Sequence, residues 1–284
     1  MNILYSNKPK RFFSFGCSFT NYCWLTWPDI IAFELGCDYY NFGRAGAGNS
    51  YITNMVCQVD QYFKFDKDDL VIICWSGIQR EDRYKRGRWH TAGNVHSNDN
   101  TIWSQQFAKV IADDCHFLMR DLANIKLVYN LLKDKTQFHF LSMDTIKKSM
   151  GLRIKRDNYI NLIKLYMDVI SYINPSFEEV LWNGNAGLRK PVHKHYSDDH
   201  PTPLEHFTYL KNIFDYDFSD EVNKKINYFE KFYINLVNDV YSNIKKTIHP
   251  CDEKMPKHLK DRIDKGYSKI KIVESLPLPR NLIV

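Results

Sequence analysis

Three kinds of pattern are missing from this sequence, and each absence excludes a class of protein. The C-x-x-C spacing of zinc and redox sites never occurs, and the seven cysteines are an odd number scattered along the chain. We therefore expect reduced, mostly buried thiols rather than a disulfide framework. No run reaches the ~18 apolar residues of a membrane-spanning helix, and the start, MNILYSNKPKRFF, has no signal-peptide core. The sequence thus predicts a cytoplasmic protein with no membrane partner.

A third missing pattern is the G-x-G-x-x-G spacing of dinucleotide-binding folds. Three glycines do lie in the segment Gly43–Ser50 (GRAGAGNS), but their order differs, and the following strand offers no acidic ligand for a ribose. No cofactor is therefore predicted.

The composition that remains is that of a globular protein. Hydrophobic residues make up 44% of the chain, with 18 Tyr and 18 Phe, which is enough for a large core in one elaborated domain. The net charge of +6 is modest, and residues 245–284 alone hold ten Lys or Arg against five acids. We predict a catalytic domain over residues 1–246, with an inserted loop at 78–100, and a basic C-terminal extension over 247–284.

Short apolar segments alternate with helical patterns along the chain. Strands are predicted at Arg11–Phe15, Asp38–Phe42, Leu70–Trp75 and Gln137–Ser142, with a fifth near Val180–Trp182. Helices are predicted at Trp27–Leu35, Ser50–Phe63, about Thr101–Leu132, Tyr159–Ile173, Leu204–Phe214 and Ser219–Ile244. This alternation implies β-α-β crossovers, so the predicted fold class is α/β: a three-layer α/β/α sandwich with a mostly parallel, doubly wound (flavodoxin-like) sheet.

Ligands of such sheets bind where loops leave the carboxyl ends of the strands. The first strand runs into Gly16-Cys17-Ser18, where a glycine permits a tight turn that presents the serine hydroxyl above the sheet. This favours Ser18 as a nucleophile, although a serine in that place also commonly caps a helix. The second strand runs into Gly43–Ser50, whose backbone N–H groups suit a phosphate or an oxyanion.

A second polar segment, YSDDHP, places Asp198 two residues before His200. Such a carboxylate holds the imidazole in one tautomer and stabilises the imidazolium formed in general-base catalysis. Asp198 is the preferred acid and Asp199 the alternate. A metal site that includes His193 and His195 is a minor alternative, and no metal is predicted.

These three segments, in this order, resemble the SGNH (GDSL-like) hydrolase family. FSFGCSFT (Phe13–Thr20) matches the block with the nucleophile, NFGRAGAGN (Asn41–Asn49) the block with an oxyanion glycine, and DDHPTPLEH (Asp198–His206) the block with acid and base. The style of these blocks is also similar to members carried by large tailed phages. The resemblance covers residues 11–215 and implies a triad of Ser18, His200 and Asp198, with Gly46 as an oxyanion donor.

Two positions depart from the family's pattern. Cys17 replaces the Asp of G-D-S, and it is expected to be a buried neighbour rather than a second nucleophile. Gln79 falls where the third block of the family has Asn. We therefore expect Gln79, or else Ser76 or Asn49, to complete the oxyanion hole.

The inserted loop 78–100 is long and polar and follows the third strand directly, which makes it a candidate lid. Its basic and aromatic residues, with Arg80 and Trp89 among them, are expected to bind an anionic or sugar-like substrate together with Asn49. A solvated loop face is the alternative for these residues, and the basic extension is expected to be a solvated tail. Nucleic acid is the alternative partner for the loop and the extension.

The sequence as a whole predicts a serine-dependent esterase or deacylase. Its substrate would be an acyl ester on a small molecule or a glycan, such as an O-acetylated sugar. Two alternatives stay open: an acyltransferase that uses the same triad, and a non-catalytic module that binds nucleic acid or glycan on the same scaffold.

Overall fold

The computed structural model of the protein describes residues 3–22, 24–97, 103–146, 154–184 and 200–232. Six strands lie in these ranges: β1 (Arg11–Phe15), β2 (Asp38–Asn41), β3 (Asp69–Trp75), β4 (Arg80–Lys85), β5 (Arg88–Asn94) and β6 (Gln137–Ser142). Nine helices accompany them: α1 (Trp27–Leu35), α2 (Asn49–Phe63), α3 (Gln105–Ile111), α4 (Asp114–Leu132), α5 (Arg156–Leu165), α6 (Met167–Ile170), α7 (Phe177–Trp182), α8 (Pro203–Ile213) and α9 (Asp220–Phe232).

The central sheet has the strand order β2-β1-β3-β6, and all of its pairings are parallel. Every residue of β3 is buried, because both faces of a parallel sheet are covered by helices. Right-handed crossovers place α1 on one face and α2 and α4 on the other, since the chain moves along the sheet in opposite directions in these connections. The packing agrees: α1 contacts α8 and α9, whereas α2 contacts α4. The predicted α/β/α fold class is therefore confirmed.

Aromatic residues fix the register of β1 against β2. Three pairs stack across these strands with ring centroids about 5 Å apart: Phe12 on Tyr39, Phe13 on Tyr40, and Phe15 on Phe42. Each pair of this kind contributes about 0.5–1.5 kcal/mol beyond the area it buries. Because the register is fixed, the carboxyl ends of β1 and β2 lie level, and the loops that follow them meet.

Three predicted helices or strands differ from the structure. The helix predicted at Tyr159–Ile173 is two helices, α5 and α6, because Tyr166 between them has non-helical backbone angles (φ −113°, ψ 15°). The segment predicted as one helix from about Thr101 to Leu132 is two helices, because Asp113 has extended backbone angles and its side chain accepts the N–H of His116 to begin α4. The strand predicted near Val180–Trp182 is wrong, since those residues belong to α7. The chain there follows Ser176, whose side chain forms a reciprocal cap with Glu179, and such a cap initiates a helix.

The inserted segment is not an irregular loop. Residues 80–94 form an antiparallel hairpin of β4 and β5, separate from the central sheet. The basic extension, residues 247–284, lies outside the described residues, as does the part of the predicted last helix beyond Phe232. Nowhere in the described ranges does a helix combine the length and apolarity needed to cross a membrane.

Candidate active site

The turn after β1 presents Ser18 at the carboxyl end of the sheet. The carbonyl of Cys17 accepts the N–H groups of Thr20 (3.1 Å) and Asn21 (3.2 Å), which closes the turn. A Cβ at Gly16 would lie 2.0 Å from the hydroxyl oxygen of Thr20 and 3.0 Å from the carbonyl oxygen of Cys74, so only glycine fits there. Cys17 is fully buried, whereas Ser18 retains 6% exposure.

Ser18 and His200 are in hydrogen-bond contact although they lie 182 residues apart. The hydroxyl oxygen of Ser18 is 2.8 Å from Nε2 of His200. This distance suits transfer of the hydroxyl proton to the imidazole when Nδ1 carries the ring proton. The contact forms because the loop that begins α8 returns to the carboxyl end of β1.

Aromatic residues from the turn after β1 hold His200 in place. Its imidazole stacks on Tyr22, with ring centroids 4.0 Å apart and an interplanar angle of 13°, and it meets Phe19 edge to face at 5.7 Å. The indole N–H of Trp24 donates to the carbonyl of Pro201 at 2.8 Å. One short stretch of sequence thus supplies both Ser18 and the aromatic support of His200. The sequence did not predict the role of Tyr22, because an aromatic residue shortly after a serine is not a recognisable sign of contact with a distant histidine.

The residues expected to act as the triad acid are not among those described. Asp198 and Asp199 lie in residues 185–199, which are outside the described residues, and so do His193 and His195. His200 lies directly before α8, and Thr202 begins this helix with a reciprocal cap to Glu205. Asp198 therefore stays a prediction.

The glycine-rich loop after β2 lies against the nucleophile's turn. The N–H of Arg44 donates to the carbonyl of Gly16 at 3.0 Å, and the side-chain amide of Asn41 donates to the carbonyl of Thr20 at 2.9 Å. Gly46 has a φ of +70°, and a Cβ there would lie 2.7 Å from the carbonyl oxygen of Thr91. Both observations require glycine at position 46.

Gln79 and Asn49 have their side-chain amides engaged in the structure. The Gln79 amide nitrogen donates to Asp114 at 2.8 Å, and its oxygen accepts from Asn94 at 3.2 Å. Asn49 is fully buried and forms two hydrogen bonds with the backbone of Ser76. Its side-chain oxygen accepts the N–H of Ser76 at 2.8 Å, and its side-chain nitrogen donates to the carbonyl of Ser76 at 3.1 Å. Asn49 therefore joins the loop after β2 to the end of β3.

A buried carboxylate on the hairpin holds the start of α2, directly after the glycine-rich loop. The two oxygens of Asp82 accept the N–H groups of Gly48 (2.9 Å) and Tyr51 (2.8 Å). Burial raises the pKa of Asp82, an effect that these two N–H groups oppose. Sequence analysis missed this residue, because it lies in a run of charges that predicts a solvated loop.

A partly buried guanidinium links the hairpin to α4. Arg120 contacts Glu81 at 2.7 Å, Asp121 at 2.8 Å and the carbonyl of Arg80 at 2.8 Å. Asp121 also accepts the amide of Asn49 at 2.8 Å. Burial raises the pKa of Asp121 to about 6, against the opposing effect of the Arg120 cation. These contacts attach the hairpin firmly to the main domain.

Arg80 and Trp89, the two residues of the insertion that were predicted to bind substrate, both contact other parts of the protein. Arg80 donates to the carbonyl of Ala47 at 3.0 Å, and its guanidinium lies 3.5 Å from the sulfur of Met143. Trp89 is 9% exposed and meets Tyr51 and Tyr84 edge to face, so its ring packs within the protein.

A pocket of about 110 Å³ opens between the loops that follow β3 and β6. Its wall combines polar groups with the apolar side chains of Ile78, Met143 and Ile146, and Arg80 lies at its edge. The sulfur of Met143 is 3.8 Å from that of Cys17, so the pocket borders the nucleophile's turn. A cavity of this size suits a small group.

The strand order β2-β1-β3-β6 defines an α/β protein of the doubly wound, flavodoxin-like class. The Ser18–His200 pair lies at the carboxyl end of its sheet, where ligands of this class bind. No protein-family model matches the chain, and no curated protein does. Solved structures do match it. Several of them are G-D-S-L family proteins, and this is the family that the sequence blocks resemble.

Three of these structures illustrate the likeness. An acetylxylan esterase from Geobacillus stearothermophilus is 14% identical, with a TM-score of 0.43 over 76% of this chain and 98% of that one. A lipolytic G-D-S-L family protein from Veillonella parvula is 10% identical, with a TM-score of 0.39 over 71% and 96%. A GDSL-like lipase from Bacteroides thetaiotaomicron is 15% identical, with a TM-score of 0.39 over 73% and 88%.

Proposed function

We propose that the protein is a serine esterase that hydrolyses acyl esters with Ser18 as the nucleophile. The observation that carries the proposal is the 2.8 Å contact between the Ser18 hydroxyl and Nε2 of His200. A serine hydroxyl is a weak nucleophile until an adjacent base takes its proton, and His200 is placed to be that base. Structural roles for Ser18, such as a helix cap, do not require an imidazole at this position.

In the proposed reaction, His200 removes the proton of Ser18 as the oxygen attacks the carbonyl carbon of the ester. His200 then returns the proton to the departing alcohol, and the acyl group stays on Ser18. Water, activated by the same imidazole, releases the acid and restores the serine. Asp198 is proposed to accept a hydrogen bond from the Nδ1–H of His200 and so to keep the ring in the required tautomer.

The oxyanion of the tetrahedral intermediate is proposed to bind the backbone N–H groups of Ser18 and Gly46. The contact between Arg44 and Gly16 supports this role, since it joins the two turns that carry these N–H groups. Gln79 is a third candidate donor, although its amide nitrogen already donates to Asp114 at 2.8 Å. The backbone groups are therefore proposed as the main donors.

Covalent labelling tests the nucleophile. The wild-type protein is expected to react with a fluorophosphonate and to hydrolyse p-nitrophenyl acetate, whereas Ser18→Ala does neither. His200→Ala should lower kcat by on the order of 10⁴-fold or more, because removing either partner of such a pair costs nearly as much as removing both. Ser14→Ala on β1 is a matched control, since its hydroxyl is buried on the strand away from His200.

The same assay distinguishes the two candidate acids. Asp198→Asn is expected to lower kcat strongly and Asp199→Asn only slightly, and the reverse result would exchange their roles. A folded wild-type protein that takes no label and turns over no ester would contradict the proposed function as a whole.

A further inference from the structure

The tip of the β4–β5 hairpin is a cluster of exposed cations. Lys85, Arg86 and Arg88 are all exposed, and Tyr84 beside them is 53% exposed. Arg86 and Gly87 have φ values of 52° and 75°, which define a two-residue hairpin turn of the tight, left-handed kind. The cations therefore project from a stiff support rather than from a flexible loop.

The acids of the hairpin do not neutralise this tip. Glu81 pairs with Arg120 and with Arg83, each at 2.7 Å. Asp82 points to the backbone of α2 and is buried. Among the described residues, Lys85, Arg86 and Arg88 form no ion pair. The tip thus carries three cations whose charge is available to a ligand.

Strand β5 of the hairpin is attached to the glycine-rich loop beside Ser18 at several points. The N–H of Gly93 donates to the carbonyl of Gly46 at 2.9 Å. Arg44 donates to the carbonyl of Trp89 at 2.9 Å and to the hydroxyl of Thr91 at 3.0 Å. Trp89 pairs with Tyr84 directly beside the hairpin turn, and the backbone N–H of Arg44 bonds the carbonyl of Gly16 at 3.0 Å. The cationic tip is therefore joined through Arg44 to the turn that carries Ser18.

We propose that this hairpin is a binding arm for an O-acylated acidic polysaccharide. The tip binds the carboxylates of neighbouring sugar units, and an acylated unit of the same chain reaches Ser18. The acylated part of this substrate rests on the proposed function, whereas the binding of the acidic polymer does not. Arginine supplies two of the three cations, and its planar guanidinium matches a carboxylate with two parallel hydrogen bonds.

The arm suits a glycan better than a nucleic acid. Proteins that bind single-stranded nucleic acid stack successive bases on exposed aromatic rings. On this arm Trp89 is buried, which leaves Tyr84 as the exposed ring. Each unit of a polysaccharide also carries hydroxyls that can be acylated, as the proposed reaction requires.

A triple variant, Lys85→Gln/Arg86→Gln/Arg88→Gln, tests the arm against a control with the same loss of charge. The control is Lys155→Gln/Lys164→Gln/Lys224→Gln, which removes three exposed lysines from the helical part of the protein. With O-acetylated polygalacturonate at low ionic strength, the arm variant should show kcat/KM lowered on the order of tenfold through KM. Added salt should reduce this difference. Turnover of p-nitrophenyl acetate and of neutral acetylated xylan should match the wild type, which also shows that the variant is folded.

Binding of de-acetylated polygalacturonate to Ser18→Ala protein tests the arm without any catalysis. The arm substitutions should weaken this binding about tenfold, and the control substitutions should not. Equal losses in the two triple variants would overturn the proposal. So would equal binding of polygalacturonate and unmodified xylan, and so would tighter binding of a single-stranded oligonucleotide of matched charge, which would assign the arm to nucleic acid.

Discussion

At the scale of single residues, the site depends on positions where the side chain must be absent. Gly16 and Gly46 lie in the two turns that meet beside Ser18, and each has backbone or side-chain atoms where a Cβ would project. Larger residues there would push the turns apart. The site therefore needs these glycines as much as it needs the groups that react.

Gly46→Ala is expected to lower both stability and kcat. Its left-handed φ of +70° alone costs an alanine about 1–2 kcal/mol. The new Cβ would also lie 2.7 Å from the carbonyl oxygen of Thr91, so the loop must shift relative to the hairpin, which changes the position of the Gly46 N–H. Urea unfolding and p-nitrophenyl acetate kinetics measure the two effects.

Gly36→Ala is the matched control for this substitution. Gly36 has a φ of +59° after α1, and nothing lies within 4 Å of the position of its Cβ. It should lose stability from backbone strain and retain the wild-type kcat. If Gly46→Ala behaves in the same way, the loop after β2 does not serve the oxyanion.

At the scale of elements, the inserted hairpin fixes the loop that faces the nucleophile. It is joined to that loop by Asp82 and by the contact between Gly93 and Gly46. Arg120 joins it to α4. The length of this segment predicted a candidate lid. In the structure, these contacts hold residues 80–94 against the main domain.

Asp82→Asn is expected to lower kcat about tenfold, which corresponds to about 1.4 kcal/mol of transition-state stabilisation. Both oxygens of Asp82 accept an N–H, and an asparagine has only one oxygen to offer. One N–H at the start of α2 then lacks its acceptor, and the glycine-rich loop loses its fixed position. Kinetics with p-nitrophenyl acetate provide the measurement.

Asp113→Asn provides the comparison, because Asp113 caps α4 through one oxygen that an asparagine can replace. Its kcat should be unchanged. An Asp82→Asn protein with normal kcat and reduced stability would limit Asp82 to a structural role.

The sequence predicted the elements of the central sheet well, because each has a strong local pattern. Strands β1 and β6 have the predicted bounds, and β2 and β3 differ from them by one residue. Alternating charges concealed the hairpin, since β4 reads REDRYK and a two-stranded sheet outside the core needs no apolar pattern. The contacts of Asp82 and Arg120 also had no local signal, because they join β4 to elements that are distant along the chain, α2 and α4.

At the scale of the whole molecule, the buried carboxylate of Asp121 couples folding to pH. Burial raises its pKa to about 6, above the value near 3.9 of an unfolded aspartate. Between these values the folded protein binds this proton and the unfolded chain does not. The contribution of Asp121 to the free energy of unfolding should therefore decrease by about 2–3 kcal/mol as the pH rises from about 4 to about 6.

Urea unfolding of the wild type and of Asp121→Asn from about pH 4 to about pH 7 measures this effect. The wild type should lose stability relative to the variant as the pH rises through this interval, and the difference should then level off. Asp82 is present in both proteins, so its own titration cancels in the comparison. Parallel pH profiles would show that Asp121 titrates normally.

The separation of Ser18 and His200 along the chain has a consequence for biosynthesis. Ser18 leaves the ribosome 182 residues before His200. A nascent or truncated chain that ends before His200 holds a serine with ordinary alcohol reactivity. The proposed esterase chemistry therefore begins only after the sheet has closed, so an unfinished product would have no means of attacking acylated metabolites in the cell that makes it.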